Sequence, residues 1–265
     1  VGVAFDLKGK VVLITGASSG LGEALAQALA KKGAILALAS RNRPELERVA
    51  AACKAQGAQE ARAYALDVTR ASDGANVVGQ VQRDFGRLDV LINNAGVHAF
   101  ATVAEMPEGL IREALEVNLF GPLRLIQAAL PALRQAKGMV VNIGSNLAFR
   151  GIPTGGAYSA TKGALARLTE ALRDEETKNG VHVLHACPGV VLTRLRENAL
   201  SHGVKPQAQE QLPFPRTPEV TAREIVAAME SKKREIITAA WPVKLWARVL
   251  VPWFGWLLDR RMKLS

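Results

Sequence analysis

Seven short apolar runs alternate with longer helical stretches along this chain, and that alternation limits the fold more than any single motif does. The runs Lys10–Thr15, Ala34–Ala39, Arg62–Leu66, Leu88–Ile92, Met139–Ile143, Val181–Ala186 and Glu235–Thr238 are rich in Val, Ile and Leu without strict polar alternation. Strands of that kind are covered on both faces, as in a parallel sheet. Between them Leu21–Lys32, Pro44–Gln56, Ser72–Phe85, Glu108–Gln135, Ala157–Asn179 and Pro218–Ser231 read as helices. Leu21, Leu25 and Leu29 give the first of these one apolar face, and Gly33 supplies its stop. The repeat predicts an α/β fold: a doubly wound parallel sheet of seven strands with helices on both faces, joined by right-handed crossovers. Pro122 and Pro131 are expected to kink or interrupt Glu108–Gln135. The long, polar stretch Gly189–Pro215 reads as a flexible substrate loop.

A chain of 265 residues suffices for one large domain and falls short of two comfortable ones. Residues 1–240 are assigned to that domain and 241–265 to a separate tail. Lys and Arg number 34 against 24 Asp and Glu, a net charge of +10. The basic residues are scattered, and no nucleic-acid-binding signature accompanies them, so no nucleic-acid partner is expected. Two cysteines, Cys53 and Cys187, build no disulfide framework and point to a reducing compartment. Val1 to Lys10 lacks a charged start followed by an apolar run, so no secretory signal is expected there. The expected location is the cytoplasm.

The turn Thr15-Gly16-Ala17-Ser18-Ser19-Gly20-Leu21-Gly22 leaves the first strand and opens the first helix. Glycines let the backbone turn sharply and approach a pyrophosphate, which the helix N-terminus then attracts. The spacing is G-x-x-x-G-x-G rather than G-x-G-x-x-G. Alone it also fits a merely tight turn; its place after strand one favours a dinucleotide. The second strand ends Ala39-Ser40-Arg41-Asn42-Arg43, where an NAD enzyme usually carries an acid for the ribose 2′-hydroxyl. Here a cation can pair with a 2′-phosphate, with Ser40 adding a hydrogen bond, so NADP(H) is favoured over NAD(H). Asp67-Val68 after strand three is placed to meet the adenine. Asn93-Asn94-Ala95-Gly96 after strand four permits close backbone approach.

Tyr158-Ser159-Ala160-Thr161-Lys162 opens a helix, and residues at i and i+4 share a face. A tyrosine with a pKa of about 10 is a poor base near neutrality, but a neighbouring ammonium favours the phenolate. The pair makes a tunable acid/base. Ser145 ends the preceding strand, where its hydroxyl can donate to a carbonyl oxygen as charge develops. Taken alone, Y-x-x-x-K is also an ordinary solvated helix pair. His98, after the Asn-Asn-Ala-Gly run, faces the substrate or else has a packing or solvent role. His182 and His185, three apart in one strand, lie on opposite faces and cannot chelate together. Cys187 reads as a small buried hydrophobe. No zinc ligand set is apparent along the chain, and no metal is expected.

Together these pieces resemble the short-chain dehydrogenase/reductase family in its compact, single-domain branch, with a Rossmann-like fold. The resemblance runs from residue 8 to about 240 and rests on Thr15–Gly22, Asp67, Asn93–Gly96, Asn118, Ser145, Tyr158, Lys162 and Pro188-Gly189 with Thr193. It implies that Tyr158 is the catalytic acid/base and that Lys162 lowers its pKa and holds the nicotinamide ribose. It further implies that Ser145 orients the substrate oxygen and that Asn118 supports a water in a proton relay. Gly16, Ser18, Ser19, Gly20, Leu21 and Gly22 would cradle the pyrophosphate. Asn94, Ala95 and Gly96 would line the cofactor cleft, and Pro188, Gly189, Val191 and Thr193 would embrace the carboxamide. Gly144 and Thr161 stand where the family frequently has Ser, and neither change removes a catalytic group.

The implied function is NADP(H)-dependent interconversion of an alcohol and a ketone or aldehyde on a lipophilic substrate such as a steroid, retinoid or acyl chain. The alternative is an NADP(H)-binding regulatory or redox-sensing protein with little turnover. The intact Ser145, Tyr158 and Lys162 argue against it. By analogy the long helices Glu108–Gln135 and Ala157–Asn179 would pair copies into a homodimer or homotetramer. All four tryptophans, Trp241, Trp246, Trp253 and Trp256, fall in the tail, flanked by Lys244, Arg248, Arg260, Arg261 and Lys263. Two readings stand: an interfacial anchor holding the protein on the inner face of a membrane, or a helix that closes the active site or an oligomer interface.

Overall fold

The computed structural model describes residues 4–193, 195, 199–205, 212 and 214–239. The order is β1 (Val11–Thr15), α1 (Gly20–Ala30), β2 (Ile35–Ser40), α2 (Arg43–Ala55), β3 (Glu60–Ala65), α3 (Asp73–Phe85), β4 (Val90–Asn93) and β5 (Ala99–Phe100). There follow α4 (Glu108–Leu115), α5 (Gly121–Ala136), β6 (Met139–Ile143), α6 (Gly156–Glu176), β7 (His182–Pro188), β8 (Leu200–Ser201), α7 (Pro218–Glu230) and β9 (Glu235–Thr238). Seven strands form one sheet in the order β3-β2-β1-β4-β6-β7-β9, and each neighbouring pair is parallel. The predicted doubly wound sheet is therefore present.

The missing polar alternation has its cause in the two-sided burial. In β1, Val12 and Ile14 join the core beneath α1, α2 and α7, while Val11 and Leu13 join the core beneath α3 and α5. Alternate residues of one strand thus feed opposite layers, and neither face meets water. The chain winds outward from β1 to β3 and then crosses to β4. The crevice between the carboxyl ends of β1 and β4 is the switch point at which such sheets bind ligands.

Two expectations are refined by the structure. The segment read as Glu108–Gln135 is interrupted by a wide π-turn over Glu116–Phe120, just before Pro122. Pro122 follows the π-turn by two residues, in the first turn of α5, where its missing N–H would otherwise reach back to Asn118 in that turn. Pro131 lies inside α5, which continues past it to Ala136. Within Gly189–Pro215, Leu200–Ser201 pairs with Ala99–Phe100 as a small parallel sheet, and Val191 bridges to Arg216. Those pairings are too short to leave a periodic signal. Among the described residues no helix is long and apolar enough to cross a membrane. The tail, with Trp241, Trp246, Trp253 and Trp256, lies outside the described residues.

Candidate active site

One cleft of about 830 Å³ opens along the carboxyl ends of the strands, within the size range of cofactor sites. Its phosphate end is built where β1 gives way to α1. Gly16 and Gly20 have φ of +63° and +57°, a left-handed conformation that side chains resist. A Cβ on Gly22 would lie 2.2 Å from the Gly16 carbonyl oxygen. Asn94 secures the turn from β4: its Nδ2 donates to the carbonyls of Thr15 (2.9 Å) and Gly16 (3.2 Å). Thr15 Oγ1 in turn accepts from the backbone N–H groups of Asn94 (3.0 Å) and Ala95 (2.9 Å). The turn is thus held open across the switch point, with Ser18, Ser19 and Leu21 on the cleft wall. A pyrophosphate fits here because no Cβ fills the cradle.

At the adenosine end Ser40, Arg41, Asp67 and Val68 line the same cleft. Arg41 is exposed, and Ser40 Oγ accepts from Asn42 N at 3.1 Å. Burial would raise the Asp67 carboxyl. Hydrogen bonds from Thr69 Oγ1 (2.7 Å) and N (3.0 Å), with the charges of Arg41 and Arg70, outweigh it and hold the group below the ordinary carboxylate range.

At the chemical end α6 carries Tyr158 and Lys162 one turn apart, both buried. The Lys162 ammonium stands 5.8 Å from the Tyr158 ring centroid and donates to the Ile143 carbonyl at 2.9 Å. Complete burial pulls this ammonium down from 10.5 to about 8, with Cys187 opposing the change. Ser145 follows β6; its Oγ accepts from Leu147 N (3.1 Å) and donates to Asn146 Oδ1 (3.3 Å). Pro188 ends β7, and Gly189, Val191 and Thr193 continue along the cleft. Thr193 Cγ2 lies 3.1 Å from where a Cβ of Gly20 would stand, so this segment approaches the phosphate turn.

Every site residue named from the sequence lines this one cleft except Asn118. Asn118 sits in the π-turn, fully buried. Its Oδ1 accepts from Val97 N (2.9 Å), and its Nδ2 donates to Val97 O (2.8 Å) and Thr161 Oγ1 (3.0 Å). It clamps the segment after Gly96 to α6. His98 resolves toward packing on the chemistry: its ring stacks on Tyr158 at 4.0 Å between centroids and on Phe100 at 5.3 Å. No spacing along the chain announces that contact. Gly144 acquires a reason as well, because a Cβ there would lie 2.2 Å from His185 Nε2.

Comparison with known proteins places this architecture. The short chain dehydrogenase family profile matches residues 10–203. The chain is 33% identical over 256 residues to "11-beta-hydroxysteroid dehydrogenase A" of Sesamum indicum, covering 93% of this chain and 73% of that one. Its fold superposes with a TM-score of 0.79 on an alcohol dehydrogenase from the archaeon Thermococcus sibiricus complexed with 5-hydroxy-NADP, 32% identical, covering 88% and 97% of the two chains. A short chain dehydrogenase/reductase from Burkholderia phymatum in complex with NAD gives a TM-score of 0.84 at 23% identity over 98% of both chains, a likeness of fold.

Proposed function

This chain belongs to the short-chain dehydrogenase/reductase family, as an oxidoreductase acting on alcohols and ketones, and on that premise we propose that it uses NADP(H) and a lipophilic substrate. The observation that carries the reading is Lys162, a cation buried beneath the cleft one helical turn from a buried tyrosine. Bound NADP(H) supplies or accepts the hydride. The glycine turn and the N-terminus of α1 hold the pyrophosphate, and Arg41 pairs with a 2′-phosphate.

Tyr158 gives a proton to the substrate oxygen in reduction and takes one in oxidation. Lys162 favours the phenolate by its charge, so the phenol works nearer neutrality than its ordinary value of about 10 allows. Ser145 turns the proton of its long bond to Asn146 toward the substrate oxygen as negative charge develops there. The Asn118 side chain is spent on Val97 and Thr161, so its part in a relay falls to its backbone carbonyl. Leu147, Ile152, Leu195, Leu200 and Leu212 line the cleft and favour an apolar substrate. The name of the sesame relative supports a hydroxysteroid-like molecule as the first to try.

The same reading includes pairing of copies through α4, α5 and α6, supported by Phe120, 42% exposed between α4 and α5; light scattering of the purified chain tests it. The chemistry is tested by NADPH oxidation against steroids, retinoids, β-ketoacyl thioesters and simple ketones. Tyr158→Phe should abolish turnover and leave NADPH binding near normal by fluorescence. Turnover that survives the change would reject the assigned acid/base.

A further inference from the structure

A second cluster of reactive side chains lies behind the cleft. His185 and Cys187 stand two residues apart in β7 and so project to the same face of the sheet. His185 is also the register partner of Glu235 on β9. Cys187 Sγ lies 3.3 Å from His185 Nδ1, and Glu235 Oε2 lies 3.8 Å from that same nitrogen. The three side chains offer one nitrogen, one sulfur and one oxygen, all within 4.8 Å of one another. A Cβ at Gly144 would meet Nε2 at 2.2 Å; the bare glycine admits the imidazole.

We propose that His185, Cys187 and Glu235 form a metal site for a borderline-soft divalent cation of the Zn²⁺ class, separate from the cofactor cleft. Thiolate, imidazole and carboxylate are the three ligand types such a cation takes together. Atoms bound at about 2.0–2.3 Å to a tetrahedral zinc stand roughly 3.3–3.6 Å from each other. Nδ1 of His185 lies 3.3 Å from Cys187 Sγ and 3.8 Å from Glu235 Oε2, Sγ also lies 3.7 Å from Nε2, and the three ligand atoms fall within 4.8 Å of one another, so a turn of the Cys187 and Glu235 side chains about their own bonds is needed to reach that spacing. His185 and Cys187 are buried, while the Glu235 side chain is 30% exposed and would give a bound cation a path to solvent. Binding forms metal–nitrogen, metal–sulfur and metal–oxygen bonds and releases the thiol proton to buffer; no electron is transferred. The metal would clip β7 to β9, one residue before Pro188-Gly189.

The test is titration of the full-length, metal-stripped protein with Co²⁺, followed by displacement with Zn²⁺. The expected result is one Co²⁺ per chain with a thiolate-to-cobalt charge-transfer band, removed by zinc. Cys187→Ser and His185→Gln should lose the band, and Cys53→Ser should keep it. Glu235→Gln, at a partly exposed position, should fold normally, bind Co²⁺ more weakly and shift the visible spectrum. That last variant decides the matter if substitutions in β7 prevent folding. Absence of the band in the unmodified protein, its persistence in Cys187→Ser, or an unchanged titration in Glu235→Gln would overturn the site.

Discussion

Replacing Lys162 by Met should remove activity and yet make the cofactor-free protein more stable near pH 7. The magnitude follows from the burial of the ammonium. Its fall from 10.5 to about 8 corresponds to about 3 kcal/mol at roughly 1.4 kcal/mol per pH unit. Below pH 8 the folded protein carries that cost, because it must keep a charge that the unfolded chain keeps in water. Met fills a similar volume without the charge. It forfeits the bond to the Ile143 carbonyl, which offsets about 1–2 kcal/mol. The net gain is about 1–2 kcal/mol, or roughly 2–4 °C of Tm per kcal/mol for a domain of this size.

The pH dependence separates this cause from improved packing. Between about 8 and 10.5 the unfolded chain binds the proton that the folded chain has released, so wild-type stability rises with pH across that window. Lys162→Met lacks the proton and should show no such rise from this position. Urea unfolding near pH 7 and near pH 9.5 should therefore show its advantage shrinking by about 2 kcal/mol. A variant less stable than wild type at neutral pH, by an amount that stays constant as the pH is raised, would refute the claim that a buried charge is held in reserve here. Such a charge is a local cost retained for chemistry, since the same ammonium is what favours the Tyr158 phenolate.

Arg41→Asp should shift the kcat/KM preference from NADPH toward NADH, measured as the ratio of the two on one substrate; an unchanged ratio removes Arg41 from the 2′-phosphate. Gly144→Ala should destabilise the protein by about 1–3 kcal/mol, read by urea unfolding, because the new Cβ would lie 2.2 Å from His185 Nε2. Wild-type stability there would mean that the imidazole moves aside freely. Deleting residues 241–265 should abolish flotation with anionic liposomes if the tail is an interfacial anchor. Flotation equal to that of the full chain assigns the tail to the active site or to a subunit interface.

What could be read along the chain, and what could not, divides by how the information is carried. The sheet was legible because burial on both faces writes itself into each strand separately, as in Val11–Thr15. The phosphate turn was legible because Gly16, Gly20 and Gly22 meet their constraint within one short loop. Tyr158 and Lys162 were legible because i, i+4 spacing is a local rule that a helix converts into contact. The exact place of the turn at Glu116–Phe120 was not, because it holds Asn118, whose side chain is bound by Val97 and Thr161 from distant segments. The stack of His98 on Tyr158 spans sixty residues, and the meeting of His185 with Glu235 spans fifty. The second arises from parallel register, the first from the loop after β4 meeting α6, and in both a residue's neighbour is set by crossovers of variable length. In a doubly wound sheet the parts of the site that read from sequence are those built within one turn of chain. Contacts between strands, His185 with Glu235 among them, belong to the topology, and that is where chemistry beyond the shared family residues has room to arise.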